Sequence, residues 1–521
     1  MRLDNLAFPR LGYRTTSLLF LAGAIAALIL ADISVTSLNP WAEMHRLLAG
    51  VIRPDFLSVE LMSVVWTVAF AVIGVSLGAT VGLLLALIFE RFRAIRLLSA
   101  FLRSVHELFW ALLLIQISGL SPTTGILAIA IPYSGIFAKV FSEMIEEADL
   151  SAEKVLPAET SIVSRFAYSR IPELAPQLWT YTLYRLECGL RSTLVLGFIG
   201  LPTIGFHLVS YFKQGYYAQA AALLAAFYLL IGSRRLWARP VTIPFLIVGS
   251  ILVLPETVGS TSALTNLVRF VTQDIVPSPL RTPDGVSPAA IGAFFLWLWA
   301  IVAKQVIPGT IQTLILSQIA VVAMAIIALA LFPIICRRFL GRFGQLIGRV
   351  VLVVVRSTPE YMVVYVLLQL LGPSMLPAII ALSVHNGAIV GYLLGRHADA
   401  LEYRADAPKG VNLYSYEMVP RLYGQFLAYV LYRWEIILRE SAIFGILGIA
   451  TLGYYFDAAI SEIRFDVAVV LVLAAAFLTM GVDAMSRGLR RRLHIDAMST
   501  RLAEAPVSAM EPVAAPRERT A

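Results

Sequence analysis

Long apolar runs, broken at intervals by short arginine-rich stretches, fill this chain from about Thr16 to Met485. Most runs are continuous over about 20 residues, the length an α-helix needs to cross a hydrocarbon core of about 30 Å. Membrane-barrel strands are shorter and alternate in polarity, so the pattern predicts helices, which close their own backbone hydrogen bonds in lipid. Spans are expected near 16–36, 60–89, 97–118, 124–144, 173–199, 216–233, 240–257, 310–335, 350–371, 375–394, 421–447 and 465–485. The first run is too long for a signal-peptide core and predicts an uncleaved anchor. Residues 41–51 have the pattern of an amphipathic helix on the outer surface. Residues 289–307 are apolar enough to span, yet a crossing there would reverse the charge pattern that follows, so they are expected at the interface. The tail 495–521, rich in Ala, Pro and charge, is expected to be disordered. The fold class is an all-α membrane protein of about twelve transmembrane helices.

Composition agrees, with 59% of the 521 residues hydrophobic and only 14% charged. So little polar surface leaves most helix faces to meet lipid or one another. The net charge of +8 does not imply nucleic acid, because the basic residues cluster at every second loop. The clusters are Arg2, Arg10 and Arg14; Arg91, Arg93 and Arg96; Lys154, Arg165 and Arg170; and Arg234, Arg235 and Arg239. They continue with Arg337, Arg338, Arg342 and Arg349; Arg396, Arg404, Lys409 and Arg421; and Arg487, Arg490, Arg491 and Arg492. Intervening loops such as 372–377 lack Lys and Arg. This is the positive-inside pattern, and it places both termini in the cytoplasm. Cys188 and Cys336 form no paired framework, the six histidines show no metal-ligand spacing, and no GxxxxGK[ST] loop is present. The chain is therefore expected to bind no cofactor or metal and to hydrolyse no nucleotide; it is not an enzyme.

Two halves of the sequence match. The segment Tyr181-Thr-Leu-Tyr-Arg-Leu-Glu-Cys-Gly-Leu-Arg191 aligns with Tyr429-Val-Leu-Tyr-Arg-Trp-Glu-Ile-Ile-Leu-Arg439 at an offset of 248 positions. That offset holds without a gap from Pro172 and Pro420, through Gln177 and Gln425, to the glycine triplets Gly197, Gly200, Gly205 and Gly445, Gly448, Gly453. Upstream, Arg103-Ser-Val-His-Glu107 pairs with Arg356-Ser-Thr-Pro-Glu360 at an offset of 253. Both halves begin on the cytoplasmic side, so the repeat is parallel, with a solute path expected where the halves meet. The boundaries are 1–239, 240–494 and the tail. Each half also has one longer cytoplasmic loop, 146–172 and 396–420, the second broken by Pro408-Lys-Gly410. A loop that recurs at one place in both halves is either a surface connector or a docking element for a cytoplasmic partner.

The run Tyr-x-Leu-Tyr-Arg-x-Glu-x-x-Leu-Arg, followed by Gly-x-x-Gly-x-x-x-x-Gly and preceded by Arg-Ser-x-x-Glu, resembles the permease subunit of phosphonate-type ABC importers, twice over. The resemblance implies a type I importer fold, a separate ATPase dimer that carries ATP and Mg on the long cytoplasmic loops, and a periplasmic solute-binding protein. Two permease copies fused in one chain imply one chain per ATPase pair, in a bacterial inner membrane. In the family's docking loop a Glu is followed by Gly and then Leu-Pro. Counting back from Pro172 puts Glu153 at the Glu but Glu159 at the Gly. Counting back from Pro420 puts Ala407 at the Gly and Leu401 at the Glu, with Glu402 one step off.

Charges inside apolar spans must face protein or water, because each costs a few kcal/mol or more in hydrocarbon. Arg185, Glu187 and Arg191, with Arg433, Glu435, Arg439 and Glu440, are such charges. Glu187 and Arg191, Glu435 and Arg439, and Arg103 and Glu107 are each four apart and expected on one helix face. They either neutralise one another and lock helices together, or bring arginines to the solute path, where a planar guanidinium suits phosphonate or phosphate oxygens. Arg356 and Glu360 are candidates on the same grounds. The glycines are expected at close helix packing or a tight reversal, or alternatively at a backbone-lined gate. Tyr181, Tyr184, Tyr429 and Tyr432 are expected to bond between helices. A secondary carrier of the major-facilitator class shares the two parallel halves, and 341–349 resembles its basic loop but lacks the Asp.

Overall fold

The computed structural model of the chain describes residues 12–37, 39–148, 166–255, 263–281, 287–404 and 406–493, together with Pro157, Thr160, Ser161, Ser164 and Ile495. Among them every regular element is helical. In order these are α1 (Tyr13–Leu30), α2 (Pro40–Ile52), α3 (Leu61–Ile88), α4 (Arg93–Ser104), α5 (Glu107–Ser118), α6 (Pro122–Glu147), α7 (Ile171–Leu196), α8 (Ile204–Gln214), α9 (Tyr217–Gly232) and α10 (Ile243–Val253). They continue with α11 (Ala263–Arg269), α12 (Pro288–Ile301), α13 (Ile307–Leu331), α14 (Arg337–Ser357), α15 (Glu360–Leu371), α16 (Leu376–Ala400), α17 (Val419–Glu440), α18 (Leu452–Ser461) and α19 (Phe465–Arg492). Glu153, Glu159 and the tail from 496 lie outside the described residues.

Two compact units divide the chain: one spans 46–273, the other takes residues up to 45 together with those from 274. They do not follow the boundary of the sequence repeat. In the unit that carries the second repeat, α1 lies along α13, where Gln318 Nε2 donates to Phe20 O at 2.9 Å. Behind α1, Thr36 N–H donates to Leu371 O at 2.9 Å and Met375 N–H to Asp32 O at 3.0 Å. In the other unit α10 packs on α3, with Trp66 Nε1 donating to Val253 O at 2.9 Å, and Asn266 Nδ2 reaches Ile117 O at 3.2 Å. Each unit thus includes the helix that leads the opposite half of the sequence.

The first unit is built on α3 against α6, and the second on α13 against α16. Close approach needs small residues, and the two pairs supply them from opposite partners. Gly74, Gly78 and Gly82 of α3 face Ile129, Tyr133 and Phe137 of α6, where an added Cβ would lie 2.9, 2.9 and 2.4 Å away. In the second pair the glycines, Gly387, Gly391 and Gly395, are on α16 and face Ile327, Ala328 and Ile335.

Among the described residues six helices are long and apolar enough to cross a membrane, or up to nine if each bent pair counts as one span. The expected spans at 216–233 and 240–257 form helices of 16 and 11 residues, and the one at 421–447 carries four charges toward the end of α17. The expected continuous spans 97–118 and 350–371 are corrected: α4 and α5 meet at 94°, α14 and α15 at 85°. The Arg-Ser-x-x-Glu motifs form both elbows, because the β/extended conformations at Val105 and His106, and at Thr358 and Pro359, end one helix and begin the next. Arg103 and Glu107 therefore do not share a helix face. Residues 289–307 do not form a separate surface helix; α12 runs through a π-turn, Val302–Val306, into α13, making one helical stretch of 48 residues. The 41–51 segment is helical, as expected, and has no buried residue.

Candidate translocation site

Each half returns from its long loop through a proline in the first turn of the helix, Pro172 in α7 and Pro420 in α17, where the missing N–H costs nothing. These helices carry the Tyr-Arg-Glu run, end in a 3-10 turn, and reverse at Gly200 and Gly448, whose φ of +95° and +88° favour glycine. The reversal brings α8 and α18 back against the same helices. A Cβ at Gly197 would lie 2.1 Å from Phe206 N and one at Gly445 2.0 Å from Tyr454 N, so main chain packs on main chain. The first amides of α8 and α18 find matching acceptors: Ile204 N–H donates to Thr67 Oγ1 at 3.0 Å, and Leu452 N–H to Thr313 Oγ1 at 3.1 Å.

The charged residues are wired differently in the two halves. Arg185 folds back along α7, its Nε and Nη2 donating to Tyr181 Oη at 2.8 and 2.7 Å, against the rings of Tyr181 and Tyr184. Arg433, 8% exposed, reaches across to α16 and donates to Asn386 Oδ1 at 3.3 Å. Asn386, fully buried, donates in turn to Glu440 Oε2 at 3.1 Å. In the repeat columns Glu440 stands opposite Ser192, which meets Tyr133 of α6. In the first half those two residues form another chain: Tyr133 Oη and Ser192 Oγ are 3.3 Å apart, and Ser192 Oγ donates to Glu107 Oε1 at 2.8 Å.

Each elbow glutamate also faces a histidine at 3.7 Å. His106 stands next to Glu107 in sequence, whereas Glu360 has Pro359 beside it and meets His385 from α16. His106 Nδ1 accepts the amide of Leu108, which leaves the ring proton on Nε2, toward Glu107. His385 Nδ1 lies 2.9 Å from Thr358 O and must donate there.

Glu187 Oε2 lies 2.8 Å from Arg234 Nη2, in the helical turn after α9, while Arg191 Nη2 contacts Cys188 Sγ at 3.3 Å. The Glu187 and Arg234 side chains are only 11% and 15% exposed. Removing one charge strands the other, so Glu187→Gln is expected to cost roughly 3–5 kcal/mol. The thermal midpoint of the purified protein should fall accordingly, and Glu187→Gln/Arg234→Gln should recover most of the loss. Glu435 is buried and Arg439 half-buried on α17, and the Arg356 guanidinium lies over the Tyr392 ring at 5.0 Å. Arg103 is half-buried at the end of α4.

Of the two long loops, 146–172 and 396–420, the second is described almost throughout. Arg404 pairs with Glu417 at 2.7 Å, and Arg421 Nη1 donates to the carbonyl of the exposed Glu402 at 2.9 Å. Ala407 N–H closes a turn on Arg404 O. Tyr403 lies between the guanidinium groups of Arg338, at 4.3 Å, and Arg421, at 5.6 Å, and burial pushes its phenol up to about 12. Tyr414 stacks on Phe332, 5.3 Å between centroids, and donates to Leu329 O at 3.1 Å.

His106, His385, Tyr133, Ser192, Asn386 and Arg234 escaped the sequence reading. The repeat columns held the signal for one pair of positions, since Ser192 and Glu440 are polar in both halves within apolar helices.

No protein-family profile matches the chain, and no solved structure does. Curated proteins do. Over 466 residues the chain is 25% identical to a phosphate-import permease of Mycolicibacterium smegmatis, covering 83% of this chain and 85% of that one. It is 33% identical over 131 residues to a putative phosphite transport system permease of Stutzerimonas stutzeri, 25% of this chain and 50% of that protein. A putative cryptic phosphonate transport system permease of Escherichia coli strain K12 is 29% identical over 99 residues, 19% of this chain and 81% of its own length. The first relative is about as long as this chain, and the other two are much shorter, as expected if one permease unit occurs here twice.

Proposed function

We infer that this chain, a permease of the phosphonate-type ABC importers with two permease copies fused in one polypeptide, carries a phosphorus oxyanion inward across the bacterial inner membrane. The observation that carries the reading is the shared chemistry of its relatives' names: phosphate, phosphite and phosphonate are all tetrahedral phosphorus oxyanions. These relatives also favour the importer over a major-facilitator carrier. The chain is a multi-pass membrane protein and a transport subunit, not an enzyme. A separate ATPase dimer, binding ATP and Mg, docks on loops 146–172 and 396–420, and a periplasmic binding protein delivers the solute. Both termini are cytoplasmic, the chain crosses about twelve times, and one copy serves each ATPase pair. Arg185 and Arg433 supply positive charge that an oxyanion path requires. Arg-Glu pairs such as Glu187 with Arg234 hold the helices around it.

Reconstitution tests this. Proteoliposomes holding the chain, its ATPase and a loaded binding protein should accumulate one of phosphate, phosphite or a phosphonate only when ATP is present. The chain alone should accumulate none. Uphill uptake without the ATPase, driven by an ion gradient, would establish the carrier instead.

A further inference from the structure

Helix α14 has two contrasting faces. Gly348 and Leu352 are buried, and a Cβ at Gly348 would stand 2.2 Å from Ile334 O, so this line seats the helix on protein. On the opposite line Phe343, Ile347, Val350 and Val354 recur every three or four residues, 76%, 49%, 55% and 42% exposed. An outward apolar stripe of this length needs cover. Arg342 is exposed along one flank of the stripe, and Arg349, two turns on, pairs with Asp399 at 3.7 Å. The helix contains five arginines and no acidic residue, so the cover must tolerate or attract cations beside an apolar face. The angle at the elbow adds direction. The apolar helix α15 stands at 85° to α14, the angle between a helix that enters a membrane along its normal and one that lies in its plane. The first half repeats the arrangement: α4 stands at 94° to α5, exposes Leu97 and Leu98, carries Arg93, Arg96 and Arg103 with no acidic residue, and is seated at Ser99, whose carbonyl a Cβ on Gly135 would approach to 2.5 Å.

We propose that α14 is an interfacial helix, with the stripe of Phe343, Ile347, Val350 and Val354 in the acyl region of a leaflet and Arg342 on the headgroups of anionic lipids. An amphipathic helix with a cationic flank binds a bilayer by this combination of buried apolar area and charge. The proposal extends beyond the transport reading and does not depend on the solute. Because Arg349 pairs with Asp399 at 3.7 Å and Gln345 Nε2 donates to the same carboxylate, a lipid-seated α14 is attached directly to the start of the second cytoplasmic loop. Anionic lipid thereby steadies the loop on which the ATPase is proposed to dock.

The test uses the full chain in nanodiscs, with Cys188 and Cys336 changed to Ser and a nitroxide placed at Phe343→Cys or, should that variant not fold, at Ile347→Cys. Glu462→Cys, in an exposed turn, is the water-facing control. In phosphatidylcholine discs the label is expected to be open to oxygen but several-fold less accessible than the control to a water-soluble nickel chelate. In phosphatidylglycerol-rich discs it should sit deeper, and Arg342→Gln should cancel that shift. A label as open to nickel as the control would overturn the proposal. Closure to both reagents would also overturn it, because the face would then be covered by protein. Equal depth in the two lipids would remove the anionic-lipid contact.

Discussion

Alanine at Gly453 is expected to leave no correctly folded permease. The added Cβ would lie 1.8 Å from Ala442 O and 2.8 Å from its carbonyl carbon. Neither is a side chain that can turn away. The start of α18 is pinned on its other side by the bond from Leu452 N–H to Thr313 Oγ1. Overpacking in a well-filled interior commonly costs 1–3 kcal/mol; with backbone against backbone, about 3 kcal/mol or more is expected. Gly205 is in the same position in the first half, where a Cβ would meet Leu194 O at 2.0 Å. The neighbouring Gly448 is the control. Nothing lies within 4 Å of its virtual Cβ, so alanine there incurs only the left-handed backbone penalty of about 1–2 kcal/mol. Fluorescence-detected gel filtration of detergent extracts should show a monodisperse peak for Gly448→Ala and none for Gly453→Ala. A normal peak for Gly453→Ala would mean that the reversal is looser than this geometry.

Much of this was legible in the sequence, because lipid imposes simple rules. Apolar runs became helices, and the permease resemblance carried by the Tyr-Arg-Glu run is borne out by the relatives. The elbows were missed because apolar content alone does not report direction. The cue was local: Pro359 disfavours the α conformation at Thr358, and no proline marks the first elbow, whose turn is held by His106 capping α5. The assignment of α1 to the second unit and α10 to the first was also hidden, since nothing in an apolar stripe names its partner. Small buried residues such as Ala24 and Ala27 show only that some neighbour comes close. The unlike wiring of Arg185 and Arg433 illustrates a deeper limit. Aligned residues gave the two arginines one role, yet Arg185 bonds Tyr181 on its own helix while Arg433 bonds Asn386 on another, a partner that spacing along α17 does not show.

That difference makes Arg433 the more informative of the two arginines. Arg433→Gln keeps a polar side chain and removes the charge, so transport is expected to fall roughly tenfold or more, about 1.4 kcal/mol of barrier. The complex with the ATPase should still purify. A loss of transport has two explanations, and Glu440 separates them. If Arg433 only balances Glu440 through Asn386, then Arg433→Gln/Glu440→Gln should restore both the thermal midpoint and uptake, since neither charge is left uncompensated. If Arg433 supplies positive charge to an oxyanion, the double variant should regain its midpoint while uptake stays low. Arg185→Gln, which releases Tyr181, should also lower uptake. Normal uptake by both single variants would remove these arginines from the solute path and leave the helix-locking role as their whole function.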